Sequence, residues 1–181
     1  MDLPKLLVQV TGTIWNMTME KHQVAWLVEL GTLTTISKIL PMFMNHEELT
    51  LNLVWILTKV SSHWWACDVM ATFDDSFIQC LAQIVTKYKS NITILIRASY
   101  VLGNMTTHHL STWEILLKSK YFTNFLDIAS MLYKNDAVVE KENKHSAKDF
   151  NCKNTEDALT KIIRLIANLL TATEIVTPDL V

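Results

Sequence analysis

The sequence predicts an all-α protein, an array of about three triple-helix repeats preceded by one lone helix. Three observations carry this. The 181 residues include only 3 Gly and 3 Pro, far below the roughly 7% and 5% of average usage, so sites for tight turns and hairpins are few. Half of the residues are hydrophobic, and they recur at helical rather than alternating spacing. One short phrase also recurs four times: GTIWNMT from Gly12, WILTKVSS from Trp55, YVLGNMTT from Tyr100 and RLIANLLT from Arg164. Aligning Asn16, Lys59, Asn104 and Asn168 separates the copies by 43, 45 and 64 residues, and about 40–47 residues is the period of paired- or triple-helix solenoids.

Residues 3–19 form the lone helix. A first repeat covers 22–62, with a short helix over 22–30, a second over 32–42 and a long one from Leu49. Gly31 supplies the left-handed turn that ends the short helix, and Pro41 marks the end of the second. In the long helix Leu49, Leu53, Ile56, Leu57 and Val60 make one amphipathic stripe. The second repeat, 63–107, has the same order: 63–71, 74–88 and 91–107. The third, 109–172, begins with 111–118 and 121–133 and ends in a long helix from Thr155 or Glu156 to Thr171.

Between the last two helices lies KNDAVVEKENKHSAKDFNCKNTED, residues 134–157, in which eleven of twenty-four residues are charged. Its polarity predicts a solvated or disordered insertion, and its length accounts for the 64-residue spacing. Residues 1–181 thus make a single array. Neither end of it carries the polar cap that a solenoid terminus needs, so the sequence is expected to be a section of a longer one.

A formal net charge of −2 gives no global attraction to nucleic acid or to an acidic membrane. The apolar runs fall short of the roughly 18–20 residues of a membrane span, and no secretory signal opens the chain. The cysteines Cys67, Cys80 and Cys152 have no metal-ligand or CxxC spacing, which suits a reducing compartment. The Asn-x-Thr sequons at Asn16, Asn91 and Asn104 are therefore read as coincidental.

The triple-helix period, the glycine in VELG before TLTTISKIL and a long third helix ending in LGNMTT together resemble the armadillo repeat, over nearly the whole chain. The resemblance implies a right-handed superhelix whose third helices line a concave, partner-binding groove. A narrower likeness, in ILTKVSSHWWACDVMATF, YVLGNMTT and EDALTKIIRLIANLL, is to a ciliary and flagellar member of that family. It implies a cytoplasmic or axonemal adaptor in axoneme assembly, associated with radial-spoke delivery by intraflagellar transport. Gly12 and Arg164 stand where the family has a bulky groove residue and Lys59 where it has asparagine, departures that weigh against basic-peptide recognition.

Residues seven and four before the aligned position share a helix face with it. The four rows are Gln9, Gly12 and Asn16; Asn52, Trp55 and Lys59; Arg97, Tyr100 and Asn104; Lys161, Arg164 and Asn168. None is acidic and four are basic, which predicts a locally positive groove. Asparagine both donates and accepts, as the backbone of an extended peptide requires, while Trp55 and Tyr100 offer flat surfaces. The expected occupant is an extended acidic segment of an axonemal or transport protein, held without a cofactor, metal, small-molecule substrate or membrane. A nucleic-acid-binding α-solenoid and a nuclear-transport-like peptide receptor are the alternatives.

No enzyme is predicted. Gly12, Gly31 and Gly103 stand alone, so there is no phosphate loop, and neither GxSxG nor HExxH occurs. His63, Cys67 and Asp68 have a spacing that could hold zinc, but Trp64 and Trp65 beside them indicate a packed helix. His108 and His109 are read as capping a helix end, and Trp15, Trp26, Trp64, Trp65 and Trp113 as core.

Overall fold

The computed structural model describes residues 2–142 and 149–176, and every element it contains there is helical. These are α1 (Leu3–Met17), α2 (Lys21–Glu29), α3 (Thr32–Phe43), α4 (Glu47–Val60), α5 (Trp64–Ala71), α6 (Asp75–Lys87), α7 (Ile92–His108), α8 (Leu110–Leu117), α9 (Tyr121–Glu142) and α10 (Asp149–Val176). The result is an armadillo-like α-solenoid. The long helices α1, α4, α7 and α10 stack in sequence as one layer, α3, α6 and α9 form the layer behind, and α5 and α8 lie between repeats.

Local signals set the boundaries. Gly31 has φ 75° and stands between Leu30, the C-cap of α2, and the start of α3, a left-handed turn that costs glycine nothing and any other residue about 1–2 kcal/mol. Pro41 lies within the last turn of α3, which continues to Phe43. Three caps are side chains: His46 Nδ1 accepts from the Leu49 N–H, Asp74 from Ser76 and the Asn91 amide oxygen from Ile94. Asn91, one of the three sequon asparagines, is therefore an N-cap, and its Nδ2 donates to Glu47 of the preceding repeat at 2.7 Å.

The core runs the length of the array along one stripe of each long helix. In α4 it is Leu49, Leu53, Ile56 and Val60; in α7, Ile94, Ala98, Val101 and Met105; in α10, Ala158, Ile162, Leu165 and Leu169. Each is at most 1% exposed. All twelve fall at the same four places relative to Lys59, Asn104 and Asn168, so a single sequence register builds the core. Behind the stripe the repeats are tied by Tyr88, whose hydroxyl donates to Met44 O at 3.0 Å, and by Lys87 with Asn45.

Several expectations need correction. Where it is described, the segment 134–157 is helical: residues 134–142 close α9 and 149–157 open α10, while 143–148 lie outside the described residues. Charge density forecasts exposure, not backbone state, and Lys, Glu and Ala are good helix formers. Consequently α10 starts at Asp149 rather than at 155 or 156, and α9 runs nine residues past the predicted 133. Trp26 and Trp64, expected in the core, are exposed, whereas Trp15, Trp65 and Trp113 are half-buried. Trp64 is the first residue of a short helix, where little neighbouring structure can cover it. His109 is the C-cap of α7 through its backbone N–H, which donates to Met105 O at 3.0 Å, while its side chain turns away, with Nε2 3.2 Å from Asp68 Oδ1.

Candidate interaction face

The stacked long helices meet through two recurring contacts. In the first, the residue seven before the aligned position reaches back to the one four before it on the preceding helix. Arg97 of α7 lays its guanidinium over the Trp55 ring of α4 at 3.5 Å, and Lys161 of α10 places its ammonium 5.5 Å from the Tyr100 ring of α7. At the first junction Asn52 occupies the cation's place and comes within 3.8 Å of where a Cβ on Gly12 would stand. Trp55 is also tilted against Trp15 of α1, with ring centroids 5.1 Å apart. The two aromatics predicted to be open platforms are thus already covered on one side.

In the second contact, the aligned residue donates to a hydroxyl two residues beyond the aligned position of the helix before. Asn104 Nδ2 donates to Ser61 Oγ at 3.2 Å, and Asn168 Nδ2 donates to Thr106 Oγ1 at 3.0 Å. Asn168 also donates to Gly103 O and Thr107 Oγ1. Asn52 makes a comparable tie, donating to Val8 O and Thr11 Oγ1 at 3.1 and 3.2 Å. These amides hold helix to helix. Asn104 is only 6% exposed, so it is removed from the groove-facing set. Its burial is tolerable because a hydroxyl of the neighbouring helix accepts its proton.

The hydroxyl partners, Ser61 and Thr106, were not singled out from the sequence, although a signal was present. Thr18, Ser61 and Thr106 each stand two residues after an aligned position, and this is why the phrase reads as a sequon at Asn16 and Asn104. At Asn104 the spacing belongs to a clamp between helices, Asn104 donating to Ser61 and Thr106 accepting from Asn168.

The remaining predicted residues divide by place. Gln9 and Asn16 are exposed on α1. Arg164 is exposed, with its guanidinium 3.4 Å from Thr107 Oγ1. Lys59, Arg97, Tyr100 and Lys161 come together and line a recess of about 340 Å³ between α4, α7 and α10, along with Ser62 and Asp157. The predicted rows contained no acid, but Asp157 enters this recess from the first half of α10 and pairs with Lys161 at 3.1 Å. Three cations face one carboxylate there. Partial burial lowers the Arg97 pKa from its ordinary value, opposed by Asp157 and Tyr100. A guanidinium starts so far above neutrality that it remains charged.

The cysteines behind this face are inert. Burial, with Asp68 adding to it, pushes Cys67 up to about 11, and burial alone pushes Cys80 to about 11. Cys67 Sγ donates to Ser61 O at 3.3 Å, and His63 stacks on Trp65. Cys152 lies where side chains are outside the description. Among the described residues no three or more His, Cys, Asp or Glu side chains are grouped to hold a metal ion, and no helix is long and apolar enough to cross a membrane.

The chain is similar to Armadillo repeat-containing protein 2 of Bos taurus, with 24% identity over 168 residues that cover 91% of this chain and 19% of the relative. The proteins of the same name from Mus musculus and Homo sapiens are each 23% identical, over 93% and 91% of this chain respectively. The chain therefore spans about a fifth of the length of these relatives, 19% in each case. No family model matches it, and no solved structure does.

Proposed function

We propose that this chain is a non-enzymatic adaptor whose long-helix face holds an extended, net-acidic segment of another protein. The observation that carries the reading is the convergence of Lys59, Arg97 and Lys161 on one recess against the single carboxylate of Asp157. Opposite charge steers such a segment to the face and sets its register. An armadillo-like array, which stacks units into an extended binding surface, is the scaffold suited to it. The likeness to Armadillo repeat-containing protein 2 supports a setting in cilium or flagellum axoneme assembly. There the adaptor would connect radial-spoke cargo to intraflagellar transport.

The biochemical test is titration of a fluorescent, glutamate- and aspartate-rich peptide against the chain and its Lys59→Glu/Lys161→Glu variant. Affinity should fall at least about tenfold, the cost of about 1.4 kcal/mol, with the helical circular dichroism unchanged. Equal affinity in the two proteins would sink the groove reading. Tighter binding of a single-stranded RNA would favour a nucleic-acid solenoid, which reads bases through a residue code shared among repeats. The four rows share none. In cells, a pull-down from ciliated cultures should recover axonemal and transport proteins. Recovery of nuclear-import cargo alone overturns the ciliary setting.

A further inference from the structure

We infer that the recess between α4, α7 and α10 is a phosphate site, and that the acidic partner segment docks there through one phosphoserine or phosphothreonine. The inference rests on the acidic-segment reading for the chain that carries the phosphate. Among the described residues lining the recess Lys59, Arg97 and Lys161 are cationic, and Asp157 is the one carboxylate. Two positive charges are left over. An aspartate or glutamate of the partner would bring a single negative charge to them, whereas a phosphate monoester brings about 1.5 to 2 near neutral pH, with three acceptor oxygens.

The donors are arranged for such a group. The Arg97 guanidinium lies on the Trp55 ring at 3.5 Å, and Trp55 is itself braced by Trp15. Stacking fixes the plane of the guanidinium and leaves its edge to bind, the fork by which arginine grips phosphate. That edge is unused: Nε is buried with no hydrogen-bond partner among the described residues, and Asp157 is engaged by Lys161 at 3.1 Å. A buried donor without an acceptor calls for one. Lys59 forms no ion pair among the described residues, so its ammonium can add a second contact from the α4 side. The neutral groups point the same way. Thr58 donates to Val54 O at 2.7 Å and Ser62 to Lys59 O at 2.6 Å. With both hydroxyl protons spent on backbone carbonyls, the donors left for a ligand are the cations and the Tyr100 hydroxyl.

A nucleic-acid strand fits less well. Its phosphodiesters each bring a single charge and need cations repeated along the track, but the row on α1 is Gln9, Gly12 and Asn16. Its bases need open aromatic faces on which to stack. Trp55 offers none, being held between Trp15 and the Arg97 guanidinium.

The test titrates the chain with a fluorescent, glutamate- and aspartate-rich peptide bearing one central serine, and with its phosphoserine and aspartate forms. Near neutral pH the phosphoserine form should bind about tenfold tighter than the aspartate form. Below the phosphate's second pKa of about 6 that preference should shrink to about threefold or less. No histidine is among the described residues lining the recess to titrate in its place. Arg97→Lys keeps the charge and loses the fork, so it should cut the preference to about twofold while leaving affinity for the aspartate form within about twofold. Should that variant loosen the Trp55 stack, Lys59→Gln removes an unstacked cation and should still lower affinity for phosphoserine about threefold more than for aspartate. Equal affinity for the phosphoserine and aspartate forms overturns the phosphate site and leaves the acidic-segment reading in place. No binding of any of the peptides overturns both. Tighter binding of inositol trisphosphate than of the phosphopeptide also overturns the inference, by giving the recess to a headgroup rather than to a protein.

Discussion

The first junction of the long-helix layer and the two that follow use the same residue types in opposite places. Between α1 and α4 the amide stands seven residues before the aligned position, at Asn52, and the cation stands at it, Lys59. In α7 and α10 the order is reversed, with Arg97 and Lys161 seven residues before Asn104 and Asn168. Each junction has an asparagine tie, so one amide per junction meets the structural need. What the exchange alters is the fate of the cation. Arg97 and Lys161 are laid on aromatic rings, whereas Lys59 projects into the recess they line.

The largest difference between junctions is expected at the aromatics. Trp55 is held between Trp15 and the Arg97 guanidinium, while Tyr100 faces an ammonium that also pairs with Asp157. Truncating a packed tryptophan costs about 3–5 kcal/mol, and Trp55, half-buried, should fall at the low end. Trp55→Ala is thus expected to lower urea stability by about 3 kcal/mol, and Tyr100→Ala by about half as much. Equal losses would remove the distinction between the junctions. Alkylation of Cys67 and Cys80, whose thiols are buried, gives an independent readout, since labelling at neutral pH requires the core to open.

Next in size are the amide clamps. Asn104→Ala leaves Ser61 Oγ without its donor inside the core, and losing a buried hydrogen-bond partner costs about 1–3 kcal/mol. Asn168 makes more hydrogen bonds but is only half-buried, and water replaces what Asn168→Ala removes, so a loss of about 1 kcal/mol is expected. If Asn168→Ala proved the costlier in denaturant melts, bond count would outweigh burial at these junctions. The cation–aromatic pairs should rank below both. Double-mutant cycles are expected to give about 1 kcal/mol for Trp55 with Arg97 and about 0.5 kcal/mol or less for Tyr100 with Lys161.

The architecture was legible because it is written redundantly. One stripe, from Leu49 to Val60, recurs in register at Ile94 and at Ala158, and Gly31 marks its turn by conformational need. The site was legible only in part. Counting back from the aligned residues found Lys59, Arg97 and Lys161, since residues on one face of a helix are fixed by its period. The same count placed Asn104 in the groove, because periodicity gives direction but not the identity of the neighbour that covers it. Asp157 escaped notice for a related reason. The charge run around it predicted a loop, and a residue assigned to a loop has no helix face from which to enter the recess.

A gain no larger than a single hydrogen bond is also the most discriminating. Lys59→Asn gives the first junction the amide of the other two, with Thr18 standing where Ser61 and Thr106 stand on their helices. Thr18 is buried and donates its hydroxyl proton to Trp15 O at 2.6 Å, which leaves its oxygen lone pairs free to accept from an amide. A new tie should add about 0.5–1 kcal/mol, the net value of an ordinary hydrogen bond. The same substitution removes the cation that the exchange of places had directed into the recess. Stability should therefore rise while affinity for the acidic peptide falls, measured on one variant by denaturant melt and by titration. If the two move together, the exchange is a packing accident. If they part, the array gives up a clamp at its first junction to keep a charge on its binding face.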